Sequence, residues 1–150
     1  MPSEQAKDVL KHCQAFHRKV SEYYQELKDQ VASERVKMLL EYLSRHEKHL
    51  AKTLGRYEKD ASRKLLGTWL QFVDEHILKV FDEVEVKPDM TVEDVIELGL
   101  RFDDALLKCF RNVVDNAETD EVREAFQNLI EMEEQEKHQL VRNALRADDF

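Results

Sequence analysis

The side chains best suited to chemistry in this 150-residue chain are polar residues set into otherwise apolar stripes. One stripe reads Leu10, Cys13, His17, Val20, Tyr24, Leu27, Val31, and another reads Val36, Leu40, Leu43, Glu47, Leu50, Leu54, Tyr57. Steps alternating between three and four residues keep each stripe on one helix face, turned toward a partner. His17 and Glu47 are the single polar intruders and are therefore drawn into a core. A second pair follows 86 residues later, with Asp103 at the position of His17 and Glu133 at that of Glu47. Glu136 lies one turn beyond Glu133, where the first half has Leu50, and is expected to share the inward face. His46 flanks Glu47 within the arc of Leu39 and Leu43. Carboxylates and imidazoles gathered in a core are costly unless a cation, shared protons or water compensates. His17, Glu47, Asp103, Glu133 and Glu136, with His46 as a further ligand or a partner of one, suit one or two divalent ions per chain, Fe, Mn or Zn, better than Cu(I) or an iron-sulfur cluster. The same residues could equally form a metal-free network of hydrogen bonds and shared protons.

The elements that must position these residues follow from a shortage of breakers. The chain has 3 Gly and 2 Pro, and residues 3–54 and 100–150 contain neither, which excludes turn-rich sandwiches and barrels and Gly-rich phosphate loops. Long helices remain. Leu10, Phe16, Val20, Tyr24 and Leu27 map onto Ile96, Phe102, Leu106, Phe110 and Val113 at the same offset of 86, and Val36, Leu40, Leu43 and Leu54 onto Val122, Phe126, Leu129 and Leu140. Ser33, a helix N-cap, maps onto Thr119. His17 and Glu47 each lie 15 residues from Ala32, and Asp103 and Glu133 lie 15 from Glu118. At about 1.5 Å per residue, all four share one level near the middle of a bundle. The expected fold is all-α: one four-helix domain made of two repeated antiparallel hairpins, 3–60 and 92–148. A crossover over 61–91 containing a short helix joins them, and Thr91 with Asp94 forms a capping box at its end.

This arrangement resembles the ferritin-like superfamily, nearest the rubrerythrin-like four-helix domains. The stretch Phe16, His17, Arg18, Lys19 with Glu22, Tyr23 and Tyr24 is similar to that family's first-helix pattern, and Glu47 and Glu133 match its two bridging glutamates. The resemblance implies iron chemistry with O2 or peroxide at a carboxylate-rich site. The departures are specific: His17 and Asp103 stand where the family has glutamates, Leu50 replaces the histidine of Glu-x-x-His, and Glu136 replaces the second. No C-x-x-C pair of a rubredoxin module is present. A non-catalytic, dimeric interaction module with a decayed site is the competing expectation.

The remaining features narrow partners and compartment. A net charge of −9 repels phosphate backbones and anionic lipids, so neither nucleic acid nor membrane is an expected partner. No apolar run exceeds three residues and the first twelve lack a signal pattern, which leads to a cytoplasmic expectation. A homodimer is the expected assembly, and no motif points to a particular small-molecule substrate. Cys13 and Cys109 read as packed thiols, Tyr24 as core, and Trp69 as crossover packing or a subunit contact. Glu-Lys-His recurs at 47–49 and 136–138, but that register turns Gln135 and His138 outward. His12, His49, His76 and His138 are expected in or near solvent. Hemerythrin-like spacing fails at Leu50 and Thr53, and His17 is too deep in its seam for phosphotransfer.

Overall fold

The computed structural model describes residues 3–71 and 75–145. Four long helices dominate: α1 (Ala6–Lys28), α2 (Glu34–Asp60), α6 (Val92–Asp115) and α7 (Asp120–Leu145). The crossover contributes three single-turn helices, α3 (Arg63–Leu66), α4 (Glu75–Leu78) and α5 (Val80–Glu83). It also contributes strand β2 (Trp69–Gln71), which pairs antiparallel with β1 (Ser3–Gln5). α1 packs on α2 and α6 on α7, so the two hairpins and their long connection are as the periodicity predicts. The ribbon and the subdivided crossover were not anticipated. The three-residue pairing is held by backbone contacts between segments more than 60 residues apart, which leave no periodic trace in either segment.

Each hairpin turn is set by the predicted cap. The Val36 N–H donates to Ser33 Oγ at 3.3 Å, and the equivalent Val122 N–H donates to Thr119 Oγ1 at the same distance. At α6 the capping box is complete: Thr91 N–H to Asp94 Oδ2 at 2.9 Å, and Asp94 N–H to Thr91 Oγ1 at 3.1 Å. The Ala32 N–H donates to Pro88 O at 3.1 Å, which places the start of α2 beside the start of α6. The Ala6 N–H donates to Thr68 O at 2.8 Å and ties the start of α1 to the segment leaving α2. The crossover thus returns along the length of the bundle.

The core runs through all four helices and takes in Leu65, Leu70, Ile77 and Val80 of the crossover. Phe81 of α5 lies against Phe16 and Tyr23 of α1 at ring separations of 5.8 Å each, and against Phe102 of α6 at 5.1 Å. It closes the seam between the hairpins beside the polar centre. Trp69 does not pack within the crossover: it is 67% exposed, and Leu70 beside it is the buried residue, because strand alternation turns neighbouring side chains to opposite faces. Cys13 and Cys109 are buried and form no disulfide. Phe72 and Val73, apolar residues of the crossover, lie outside the described residues, as does the side chain of His76.

Candidate functional site

All four seam intruders are buried in the core, and His17, Glu47 and Glu133 are in direct contact there. His17, Glu47, Asp103 and Glu133 are exposed by no more than 6% of their surface. His17 spans the two hairpins: Nδ1 lies 2.5 Å from Glu47 Oε2 on α2, and Nε2 lies 2.9 Å from Glu133 Oε1 on α7. With both glutamates ionised, an imidazole facing a carboxylate oxygen at each ring nitrogen satisfies both only as the doubly protonated cation. Burial pulls the His17 pKa down, but the charges of Glu133 and Glu47 and the hydrogen bonds to them outweigh it, holding the ring well above its ordinary value of 6.5.

Asp103 completes the centre with opposite behaviour. Burial, followed by repulsion from Glu47 and Glu133, raises its pKa well above 3.8, against weaker opposition from His17 and Lys137. The centre therefore divides two protons by environment, one held on His17 and one favoured on Asp103. Tyr24, fully buried, is likewise raised, first by burial and then by Glu47 and Asp103. Its hydroxyl and Glu133 Oε2 have no hydrogen-bond partner among the described residues. Gly99 makes room for that hydroxyl, since a Cβ there would stand 3.2 Å from Tyr24 Oη and 3.6 Å from Leu140 Cδ1. The missing Cβ at Gly99 thus permits close approach of Tyr24 and Leu140.

Glu136 and His46 are placed differently from the other four. Glu136 does not share the inward face: its side chain is 26% exposed and pairs with His46 Nε2 at 3.1 Å, forming a half-buried link between α2 and α7. Its carboxylate turns instead to an available partner, His46 Nε2 on the other hairpin. Leu50, the equivalent position in the first hairpin, is 1% exposed. His46 stacks on Tyr42, with ring planes 8° apart, and Asn143 Nδ2 donates to Tyr42 Oη at 2.8 Å, extending the link. His49 and His138 are exposed as expected, and His12, with 37% of its side chain exposed, lies near solvent and contacts Glu4 at 3.1 Å.

Sequence reasoning missed Ser21 and Ser44. Both are fully buried, with hydroxyls 2.8 Å apart, and each donates to the other's backbone carbonyl, Ser21 Oγ to Ser44 O at 2.8 Å and Ser44 Oγ to Ser21 O at 3.0 Å. They lie four residues after His17 and three before Glu47, and the offset of 86 replaces them with Leu107 and Ile130. These hydroxyl bonds tie α1 directly to α2. The signal was a pair of small residues on the flanks of two polar intruders.

Together, the fold and site define an all-helical protein of two antiparallel hairpins with a buried imidazole-carboxylate centre. No protein-family model matches the chain, and neither the curated proteins nor the solved structures include a match. Among the described residues, no group of three or more His, Cys, Asp or Glu side chains is arranged to hold a metal ion, and no helix is long and apolar enough to cross a membrane.

Proposed function

We propose that the chain is a ferritin-like, non-catalytic interaction module, assembling as a homodimer, in which a histidine cation occupies the centre of the bundle. The observation that carries this reading is the position of the His17 ring between Glu47 and Glu133. In this arrangement the donor set does not fit a metal ion. Both ring nitrogens are already engaged by the two carboxylates that would bridge, and Leu50 occupies a position where the family pattern has a histidine. A protonated imidazole instead supplies the compensating positive charge and fixes the relative placement of α1, α2 and α7. Asp103, held toward its neutral form, adds little further negative charge.

A second reading is favoured by the unpartnered Glu133 Oε2: a divalent ion displaces the His17 proton and binds His17, Glu47, Asp103 and Glu133, with Glu136 and His46 nearby, in support of iron and oxygen or peroxide handling. One experiment separates the two. Tag-free protein, with Glu47→Ala and Glu133→Ala variants alongside, is loaded with Fe(II), Mn(II) or Zn(II), desalted and subjected to elemental analysis. The structural reading expects no stoichiometric metal. Stoichiometric metal in the parent that is lost in both variants would replace it with the metal reading. Sedimentation of the same samples tests the dimer.

A further inference from the structure

We propose that the groove between α5 and the outward face of α6 binds a small polyanion carrying two oxyanion groups, of the diphosphate type. The groove has a volume of about 330 Å³ and brings together Lys79 at the start of α5 with Arg101 and Lys108 of α6. That volume lies at the small end of ligand sites, which run from about 300 Å³ upward. Arg101, Asp104 and Lys108 recur at helical spacing, so they line one stripe of α6 on the side opposite the core.

The electrostatics of the groove contrast with the rest of the molecule. In a chain of net charge −9, three cations converge here. Lys79 and Lys108 make no ion pair among the described residues, and Arg101 Nη1 makes a single 3.4 Å bond to the backbone oxygen of Glu83. Of the two acids in the groove, Asp104 is neutralised from outside by Lys137 Nζ at 2.6 Å. The Glu83 carboxylate remains and selects against ligands with too little charge to outweigh it. Arg101 and Lys108 are seven residues apart, which separates their backbones by about 10 Å along the helix. Both long side chains line the groove, so each can meet one of two linked oxyanion groups. The planar guanidinium of Arg101 can take one oxyanion in a bidentate grip, while the two lysines act as point charges. The buried Val80 gives the groove an apolar floor. The acidic surface around it disfavours a long polyanion such as nucleic acid, whose further phosphates would be repelled.

The test is an NMR titration of the full chain with inorganic pyrophosphate at low ionic strength, with inorganic phosphate as the singly grouped comparison. Saturable shifts of α5 and α6 amides are expected, with pyrophosphate binding more tightly than phosphate and more weakly as salt is added. Arg101→Gln and Lys108→Gln should each weaken binding about tenfold or more, as expected for loss of a charge-assisted contact. Lys48→Gln, an exposed lysine on α2, should leave it unchanged. All three substitutions are on the surface, and unchanged amide spectra outside the groove would show that the fold is retained. Absence of saturable shifts, or equal weakening by Lys48→Gln, would overturn the proposal.

Discussion

Replacing His17 with leucine removes the cation and leaves Glu47 and Glu133 buried at 3% and 1% exposure with nothing between them. Each forms a charge-assisted bond to the ring, at 2.5 and 2.9 Å. Two unit charges about 4 Å apart attract by about 4 kcal/mol at an effective dielectric constant of 20, and desolvation of the buried ions offsets much of that. Removing one member of such a network nevertheless costs about 3–5 kcal/mol, because the remaining charges stay buried without compensation. Against a total stability of about 5–15 kcal/mol, His17→Leu should bring the protein close to unfolding at pH 7. The carboxylates can relieve the cost by taking up protons, so the deficit relative to the parent should shrink toward pH 5. The triple variant His17→Leu/Glu47→Leu/Glu133→Leu provides the contrast. Exchanging the whole network for apolar side chains should be neutral or stabilising by about 1–4 kcal/mol. Urea denaturation of the parent and both variants at pH 5, 7 and 8 measures these differences. A single variant within about 1 kcal/mol of the parent at pH 7, or a triple variant less stable than the single, would refute the reasoning.

Further outcomes follow from the same centre and its supports. Because the folded-state pKa of His17 is raised, its contribution is fully present below the ordinary value of 6.5 and is lost as pH rises through the folded value, so parent stability should fall on the alkaline side in thermal melts across pH 6 to 10. Asp103 is raised as well, so its burial costs stability once pH exceeds the ordinary carboxyl range. Asp103→Asn should stabilise at pH 7 and flatten the pH profile of stability above the ordinary carboxyl range. Gly99→Ala should destabilise by about 1–2 kcal/mol despite the better helix propensity, since Tyr24 Oη lies 3.2 Å from the new Cβ and its ring is held edge-on by Phe102 at 5.8 Å. Adding Tyr24→Phe should recover most of that loss, a coupling measurable by a double-mutant cycle. Ser33→Ala and Thr119→Ala should each cost about 1 kcal/mol in denaturant titrations through loss of the hairpin caps.

The features legible in the sequence are those that depend on one helix at a time or on the repeat. The two stripes located His17 and Glu47, the offset of 86 carried them to Asp103 and Glu133, and equal distances from the two turns put them at one level. Ser33 and Thr119 were readable because a cap is a local hydrogen bond. Glu136 was misplaced because periodicity assigns a residue to an arc, whereas the side chain at its edge is settled by the available partner, here His46 on the neighbouring hairpin. Trp69 leaves the crossover core because a strand, not a helix, sets its direction, and that strand exists only by pairing with residues 3–5. The close contact at Ser21 and Ser44 was missed because an apolar-stripe search discards small polar residues that bond to each other across an interface. The composition of the centre was legible, but its protonation was not. Two acids and a histidine read equally as metal ligands or as an ion pair until the ring is seen between them.

The most direct test of this account is the charge on that ring. Protein carrying 15N-labelled histidine, followed by NMR at increasing pH, reports both nitrogens of His17 separately. The account predicts that both remain protonated at pH 7, above the ordinary histidine value, as an imidazolium coupled through hydrogen bonds to Glu47 and Glu133. A neutral His17 at pH 7, with one nitrogen deprotonated, would contradict it.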